Sequence, residues 1–308
     1  MDMIRKTILS LALTGLALVG SYSQEKVISI YGNSYASSAQ AIVQTRGSVM
    51  SDGIIKIGIV SDLEGDIADI DKSVQKLKNV SGLDGIIIAG DCYENEAIRR
   101  QPLFPNSTDN IKEMAAIEKY AALKVPVFVI PGNHETRDIY EKAILKMHDD
   151  GYVGIFDING RSVDLKGLNI IGLGGYYDNK FMPENGFLLT REDYSRAVRQ
   201  ILSYKSQNEE TLLVTHSPPY TQGGKIDRIL QGANVGDVNI SLMLSDPRLG
   251  KFDNVNGHIH EAGGTSAEFP DGNSYNVAAI NPLNNPTSGD VTLLTIYGNG
   301  KKEFTQLK

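Results

Sequence analysis

The sequence predicts an α/β fold in which two packed sheets carry helices on their outer faces. From residue 54, short apolar runs alternate with segments whose apolar residues recur at helical spacing. After residue 260 the apolar period approaches two, and turn sequences mark antiparallel hairpins. Each of five polar motifs follows an apolar run with the features of a strand. These patterns together are typical of one domain built from layers of sheet and helix.

The first unit is a strand followed by a helix. Residues 54–60 form an apolar run that ends at Asp62. Asp66 is a candidate helix N-cap, because a carboxylate there can accept hydrogen bonds from the free amides of the first turn. The apolar residues that follow at helical spacing are Ile67, Ile70, Val74 and Leu77.

The next unit repeats this order. A short strand over residues 86–88 ends at Asp91, and residues 111–124 are predicted to form a helix. A strand over residues 126–130 then ends at Asn133. Because sites in α/β proteins form beyond the carboxyl ends of strands, we expect these polar residues to lie together.

A hairpin and a third helix come next. Lys166 and Gly167 are predicted to turn a hairpin whose second strand reaches Leu173. Thr190 and Asp193 resemble a capping box, which predicts a helix start. The apolar residues expected on one face of that helix are Tyr194, Val198, Ile201 and Leu202.

The last predicted elements are strands. Residues 212–215 form a strand that ends at His216. Turns at residues 270–273 and at Asn299 and Gly300 indicate antiparallel hairpins in the C-terminal part of the chain.

The N-terminus has the pattern of a secretory signal peptide. Arg5 and Lys6 precede an apolar run over residues 8–20, and Ser21 and Ser23 flank a plausible cleavage point. The run is short for a membrane span. These features predict an exported protein, periplasmic or extracellular; an uncleaved anchor and a cytoplasmic protein are the alternatives.

The expected organisation has three parts. Residues 1–23 are expected to be a signal peptide, residues 24–52 a linker or N-terminal arm, and residues 53–308 one domain. The middle segment is rich in Ser, Gly, Gln and Ala, which is typical of loops, and contains one short β-like stretch over residues 27–31.

The chain is acidic, with a formal net charge of −7. This charge disfavours non-specific binding to nucleic acid or to an anionic membrane, and no stable partner of either kind is implied. Two bound dications would reverse the sign locally, so the charge is compatible with a phosphorylated substrate. The single cysteine, Cys92, excludes an intrachain disulfide and is expected to be buried beside a strand end.

Five short motifs carry the candidate functional residues. They are Asp62-Leu63-Glu64, Gly90-Asp91, Gly132-Asn133-His134-Glu135, Thr215-His216 and Gly257-His258-Ile259-His260. The chain has five histidines, and four of them fall inside these motifs. Oxygen and imidazole donors at strand ends are the chemistry of metal sites in α/β enzymes. The remaining histidine, His148, is expected to have no role in the site.

In order and spacing, these motifs resemble those of the calcineurin-like metallophosphoesterases, and the resemblance covers residues 54–308. It implies a four-layer α-β-β-α sandwich of two mixed β-sheets flanked by helices. It also implies a metal-dependent phosphoesterase that cleaves phosphate mono- or diesters of small molecules through a dinuclear metal centre and metal-activated hydroxide.

The resemblance gives each motif residue a role. The ligands implied for the first metal are Asp62, Glu64, Asp91 and His260. The ligands implied for the second metal are Asp91, Asn133, His216 and His258, so Asp91 would bridge the two. His134 would be the catalytic residue, protonating the leaving group or steadying the phosphoryl oxygens. Glu135 would be an outer-sphere group that orients it.

Glu64 departs from the family pattern, which has Asp-x-His in the first motif. As a ligand, Glu64 adds a negative charge and a hard oxygen donor, which favours Mn or Mg relative to Zn. As a poor ligand, it would weaken the first metal and reduce activity. We favour ligation and expect two divalent ions, Mn before the alternatives Fe, Zn, Co and Mg.

A second hypothesis is a catalytically weak or inactive protein of this fold that acts as a binding scaffold, as some relatives do. Fold alone does not decide between hydrolase and scaffold. A scaffold needs neither the full ligand set nor His134, so their presence favours the hydrolase.

Overall fold

The computed structural model describes residues 26–31, 33–37, 41–46, 53–92, 109–206, 210–279 and 290–307. The expected signal peptide, residues 1–23, lies outside this part of the chain. Two sheets pack face to face, and helices cover their outer surfaces. No helix in the described ranges is long and apolar enough to cross a membrane.

The described residues form fifteen strands and five α-helices. The strands are β1 (Lys26–Ile30), β2 (Asn33–Ser37), β3 (Ala41–Arg46), β4 (Ile55–Val60), β5 (Gly85–Ala89), β6 (Val127–Ile130), β7 (Ile155–Asp157), β8 (Ser162–Leu165), β9 (Leu168–Leu173), β10 (Glu210–Thr215), β11 (Phe252–Asn256), β12 (Ser266–Phe269), β13 (Gly272–Asn276), β14 (Val291–Ile296) and β15 (Lys302–Leu307). The helices are α1 (Ile67–Lys78), α2 (Asp109–Ala121), α3 (Arg137–Asp149), α4 (Arg191–Lys205) and α5 (Val238–Met243). Short 3-10 turns cover Asn179–Phe181 and His260–Ala262.

The smaller sheet has six strands in the order β15-β14-β4-β5-β6-β7. Strands β4 to β7 are parallel, and β14 and β15 add an antiparallel edge. In β5, Ile87 and Ala89 face the other sheet, whereas Ile86 and Ile88 face the helices. Because a central parallel strand is buried on both faces, its sequence is a continuous aliphatic run.

The larger sheet has nine strands in the order β1-β2-β3-β8-β9-β10-β11-β13-β12. Strands β9, β10, β11 and β13 are parallel to one another. The pairs β8–β9 and β12–β13 on either side of this parallel block are antiparallel, so this sheet is mixed, as is the smaller one. The parallel segments of both sheets are the ones that lead into the polar motifs.

Three clusters of buried side chains hold the layers together. Ile57, Phe128 and Ile170 belong to the cluster between the two sheets. Helices α1, α2 and α3 pack on the outer face of the smaller sheet, and α4 and α5 pack on the larger one. Each fully buried Ile, Leu or Phe stabilises the fold by about 1.5–3 kcal/mol. The order of layers is therefore helices, sheet, sheet, helices, which confirms the predicted fold class.

Most of the predicted elements are present. Asp66 caps α1, where its side chain accepts the backbone N–H groups of Ala68 at 2.9 Å and Asp69 at 3.2 Å. Thr190 and Asp193 form the predicted capping box at the start of α4. The hairpins β8–β9, β12–β13 and β14–β15 form where turns were predicted. Cys92 is buried, as expected.

Leu202 was expected on the buried face of α4, and that prediction was wrong. Leu202 is 42% exposed, whereas Ala197 and Ile201 are buried. The buried stripe runs through positions 194, 197, 198 and 201, and Leu202 lies at its margin.

Three strands, β1 to β3, extend the larger sheet where the sequence indicates a linker or arm. The strands β3 and β8 pair in parallel. Ile30, Tyr35 and Ile42 are buried in the cluster between the sheets. The described part of this segment therefore contributes to the core, although its composition is typical of loops.

Candidate functional site

The two sheets bring the carboxyl ends of their parallel strands to one shared edge. The segments that leave β4, β5 and β6 carry Asp62, Asp91 and Asn133. The segments that leave β10 and β11 carry His216 and His258. Sites in α/β proteins form in this position. The motif residues, far apart in the sequence, therefore meet in one cluster.

The backbone is strained at four of these residues. Asp62, Glu64, Asp91 and His258 have positive φ values of 57°, 50°, 48° and 71°. Non-glycine residues adopt this left-handed region at a cost of about 1–3 kcal/mol each, and such residues concentrate at functional sites. In the described part of the chain only eight non-glycine residues have positive φ, so half of them lie in this cluster.

Two glycines allow the carboxylates to come close to neighbouring backbone. A Cβ atom on Gly132 would lie 2.0 Å from Oδ1 of Asp91. A Cβ atom on Gly257 would lie 2.3 Å from Oδ2 of Asp62. Any other residue at either position would clash, which explains why glycine precedes Asn133 and His258.

Candidate ligand atoms gather in three overlapping groups, and within each group all of these atoms lie within 4.8 Å of one another. The groups are Asp62, Glu64 and His260; Asp91, His216 and His258; and Glu64, Asp91 and His134. The first two groups contain six of the seven residues that the sequence predicts to bind metal. The third group lies between them, because it shares Glu64 with one and Asp91 with the other.

The first group is held by contacts between the ends of the two sheets. Nε2 of His260 lies 3.3 Å from Oδ1 of Asp62 and 3.3 Å from Oε1 of Glu64. The backbone N–H of His258 donates to both oxygens of Asp62, at 2.9 and 3.0 Å. Asp62 therefore fixes the loop after β11 to the end of β4.

The second group is oriented by backbone carbonyls. Nε2 of His216 lies 3.1 Å from Oδ2 of Asp91 and 2.8 Å from Oδ1 of Asn133. Nδ1 of His216 donates to the carbonyl oxygen of Ala89 at 3.0 Å, which fixes the orientation of the ring. Nδ2 of Asn133 donates to the carbonyl oxygen of Phe181 at 2.9 Å, which turns Oδ1 towards His216. Nε2 of His216 and Oδ1 of Asn133 therefore both face the cluster.

His134 lies between the two groups. Its Nδ1 is 3.2 Å from Oε2 of Glu64 and 3.9 Å from Oδ2 of Asp91. Its backbone N–H donates to Oδ1 of Asp91 at 2.9 Å. The side chain is 23% exposed and lines a cavity, so it is open to a bound molecule.

Carboxylates and imidazoles shift one another's pKa values strongly in this cluster. Burial opposes the charge on His134, but Asp91 and Glu64 outweigh it and raise the pKa of His134 to about 10. Burial likewise opposes the charge on His260, yet its bonds to Asp62 and Glu64 raise its pKa to about 11.

The pKa values of the two buried imidazoles of the second group shift in opposite directions. Burial opposes the charge on His216, but Asp91 raises its pKa to about 9. Burial and the charge of His216 lower the pKa of His258 to about 3, so this imidazole is neutral. Burial also opposes ionisation of Asp91, but His134 and His216 hold the pKa of Asp91 well below its usual value.

Glu135 accepts backbone N–H groups from two neighbouring loops. Its oxygens accept from Cys92 at 2.9 Å, from Gly132 at 2.7 Å and from Asp91 at 3.3 Å. Glu135 is only 3% exposed. It therefore ties the segment after β5 to the segment after β6, which is a role that the sequence does not reveal.

The donor set fits two divalent cations. Asp62 and Asp91 are 2% and 1% exposed, and buried carboxylates need compensating positive charge. The mixture of carboxylate, amide and imidazole donors suits Mn, Fe, Zn, Co or Mg. His148 lies outside the cluster, at the end of α3, where its Nε2 is 2.8 Å from the carbonyl oxygen of Ile155.

A cavity of about 610 Å³ opens over the cluster. Asp62, Glu64, His134, His258 and His260 form part of its wall. The wall also includes residues outside the five motifs, some next to a motif in the sequence and others from distant segments. They are Asp66, Asp69, Tyr176, Phe181, Ile229, Leu230, Val235 and Glu261.

The family model for the calcineurin-like phosphoesterases matches residues 55–262. A probable cyclic nucleotide phosphodiesterase of Fibrobacter succinogenes is 30% identical over 131 residues, which are 38% of this chain and 46% of that protein. An uncharacterized protein of Methanocaldococcus jannaschii is 23% identical over 210 residues, 68% of this chain and 81% of that one. The first match thus spans less than half of its relative.

Solved structures share the fold. A dimetal phosphatase from Danio rerio gives a TM-score of 0.54 at 12% identity, covering 83% of this chain and 100% of that one. A protein from Thermus thermophilus gives 0.56 at 13% identity with the same coverage. At these identities the likeness concerns the fold.

Proposed function

Because the chain belongs to the calcineurin-like phosphoesterase family, we propose that it is a metal-dependent hydrolase that cleaves phosphate mono- or diesters of small molecules. One observation carries this proposal. Two groups of ligand atoms, each within 4.8 Å, flank His134, and residues from both groups line one cavity. This is the arrangement that a pair of metal ions beside a phosphate ester requires.

The residues proposed to hold the ions form two sets that share Asp91. The first set is Asp62, Glu64, Asp91 and His260. The second set is Asp91, Asn133, His216 and His258. When bound, two divalent ions supply hydroxide at neutral pH and offset the negative charge of the phosphoryl oxygens.

The chain's own residues prepare this chemistry in three ways. The carbonyl of Ala89 directs Nε2 of His216 into the cluster, and the carbonyl of Phe181 directs the oxygen of Asn133. Glu135 holds the loops of Asp91 and Asn133 against each other. Positions fixed before substrate binds reduce the reorganisation needed during reaction.

We propose His134 as the catalytic residue that gives a proton to the leaving oxygen. Its imidazole lines the cavity and contacts one carboxylate from each ligand group. In that position it can reach an ester oxygen that points away from the buried ligands. The departing oxygen would then leave as an alcohol, with His134 reprotonated from solvent.

We also propose that Glu64 is a metal ligand in place of the family's histidine. Its Oε1 lies 3.3 Å from Nε2 of His260, inside the first group. A third carboxylate lowers the net positive charge of the centre relative to an imidazole. This supports a preference for Mn over Zn, because harder oxygen-rich sites suit Mn.

The alternative of an inactive scaffold is less well supported. Four cluster residues hold strained positive φ values, and His134 is open to the cavity. Strain of this kind persists where a site depends on it. Protein binding alone would not require it.

The experiment is hydrolysis of p-nitrophenyl phosphate and bis(p-nitrophenyl) phosphate by protein stripped of metal and then reloaded with Mn, Zn, Fe, Co or Mg in turn. We expect p-nitrophenol release only after reloading, with the highest rate in Mn. Activity that survives thorough chelation unchanged would show that the mechanism does not use metal. Inactivity with every metal on both esters would contradict the hydrolase assignment.

A further inference from the structure

The cavity extends beyond the ligand cluster to an apolar wall. Tyr176, Phe181 and Leu230 line this part. Tyr176 is buried, and its ring lies 4.3 Å from the His258 ring and 6.3 Å from the Phe181 ring, centroid to centroid. Phe181 and Leu230 are 55% and 64% exposed. Apolar side chains at the mouth of a cavity are typical of a surface that a ligand covers.

Other walls of the same cavity are acidic. Asp66, the N-cap of α1, and Asp69, in its first turn, line the cavity, and Glu261 lines it from the 3-10 turn that begins at His260. Asp66 and Glu261 are exposed. These carboxylates are additional to the three that the proposed metal sites use. A second anionic group on a substrate would be repelled here, whereas a cation would be attracted.

Asp69 provides an independent sign that a ligand belongs in this part of the cavity. The residue is 3% exposed. Its Oδ1 lies 2.8 Å from Nζ of Lys72, but its Oδ2 is buried with no hydrogen-bond partner among the described residues. A buried acceptor left without a donor costs about 1–3 kcal/mol, so a donor supplied by a bound molecule would recover that loss.

We propose that this cavity selects phosphodiesters whose second substituent, the one that is not the leaving group, ends in a primary ammonium group. The ammonium would donate to Oδ2 of Asp69 and be attracted by Asp66 and Glu261. A short alkyl chain that carries the ammonium group would pack against Phe181 and Leu230. The aromatic faces nearby favour a cation. The inference rests on the hydrolase function proposed above and names the substrate class for that site.

A matched pair of chromogenic diesters tests the proposal. p-Nitrophenyl 2-aminoethyl phosphate and p-nitrophenyl propyl phosphate release the same leaving group and have the same size, and differ only in the terminal ammonium. With the metal-loaded protein we expect kcat/KM to be at least about tenfold higher for the aminoethyl ester, corresponding to about 1.4 kcal/mol. Equal values for the two esters would overturn the inference while leaving the hydrolase function intact.

Substitutions in the cavity wall test which residues cause the selectivity between the two esters. Asp69→Asn should reduce the ratio of the two kcat/KM values by about tenfold, because a charge-assisted hydrogen bond is lost. Phe181→Ala removes an exposed side chain, so the fold should survive; it should raise KM for both esters. Asp71→Asn is the control: Asp71 lies on the same helix, pairs with Lys119 at the surface and does not line the cavity. A ratio unchanged by Asp69→Asn, or equally reduced by Asp71→Asn, would contradict the role of Asp69.

A binding measurement separates this inference from the hydrolase function. Calorimetric titration should show phosphoethanolamine binding about tenfold more tightly than propyl phosphate, and Asp69→Asn should abolish the difference. If neither diester is hydrolysed, the diesterase activity fails, and tighter binding of phosphoethanolamine would still support an ammonium-selective cavity. Equal binding of both compounds would refute that cavity.

Discussion

Replacing Glu135 by glutamine should disturb the site although Glu135 is not a proposed metal ligand. The carboxylate accepts the N–H groups of Cys92 and Gly132 at 2.9 and 2.7 Å, and that of Asp91 at 3.3 Å. Glutamine has nearly the same shape but a single acceptor oxygen. Its amide nitrogen must therefore face at least one of these N–H donors.

The hydrogen bonds of Glu135 give the size of the expected change in the free energy of unfolding. If the amide oxygen keeps the Gly132 and Asp91 contacts, the Cys92 contact is lost, and the two that remain become neutral. A hydrogen bond to a charged group contributes about 1.5–3 kcal/mol and a neutral one about 0.5–1.5 kcal/mol. Relief of repulsion between Glu135 and the Asp91 carboxylate offsets part of the loss. We expect the free energy of unfolding to fall by about 2–4 kcal/mol.

The rate of hydrolysis should fall as well, because the loop that carries Asp91 is no longer fixed. A displacement of about 1 Å at a reacting group can lower a rate by about a hundredfold. We therefore expect Glu135→Gln to reduce Mn-dependent hydrolysis by about 10- to 100-fold. Urea denaturation gives the stability, and p-nitrophenol release gives the rate. Glu141→Gln, an exposed position on α3, is the matched control and should change neither.

Our interpretation of Glu135 would be refuted by a specific result. If Glu135→Gln unfolds within about 0.5 kcal/mol of the parent protein, the scatter of ordinary surface substitutions, the three backbone contacts do not hold the loops. If stability falls but the rate does not, the loops are held for stability alone.

Three further substitutions test the roles of His134 and Glu64. His134→Gln should leave metal content unchanged and lower turnover by about 10²–10⁴-fold, the usual contribution of general acid catalysis; loss of metal would identify His134 as a ligand instead. Glu64→His should tighten Zn binding and move the pH–rate profile to lower pH, because the centre gains positive charge, whereas Glu64→Ala should weaken one metal site. Unchanged metal content and rate in Glu64→Ala would show that Glu64 is not a ligand.

The sequence predicted much of the fold because its strands are strongly patterned. The aliphatic runs before Asp62, Asp91 and Asn133 are buried on both faces, so they could be found without knowing the tertiary structure. The caps at Asp66 and Thr190 depend only on neighbouring residues and were equally visible. Local features of this kind can be read directly from the chain.

Some elements were missed although their pattern was present. Helix α3 begins after Thr136 and buries Ile139, Tyr140, Ala143, Ile144 and Met147 at helical spacing. That periodicity is in the sequence and could have predicted the helix. The strands β2 and β3 are different, because β3 gains its place through pairing with β8, more than a hundred residues later. Local composition does not show such a pairing.

The site was predicted only in part, because some of its contacts form between segments that are distant in the sequence. The motif residues were identifiable by type and order, and the structure brings them together. The acceptor role of Glu135 depends on two loops meeting, which the local pattern does not show. Asp69, Phe181 and Leu230 reach the cavity from separate segments, so their contribution emerges only from the tertiary structure.

The central claim is that two ligand sets share Asp91, and metal content tests it most directly. Protein stripped by chelation, reloaded with Mn and freed of excess ion by gel filtration should retain two ions per chain. Asp62→Asn should retain more metal than Asp91→Asn, because Asp62 would serve one ion and Asp91 both. A parent protein that retains one ion or none, or equal mild losses in the two variants, would contradict a dinuclear centre bridged by Asp91.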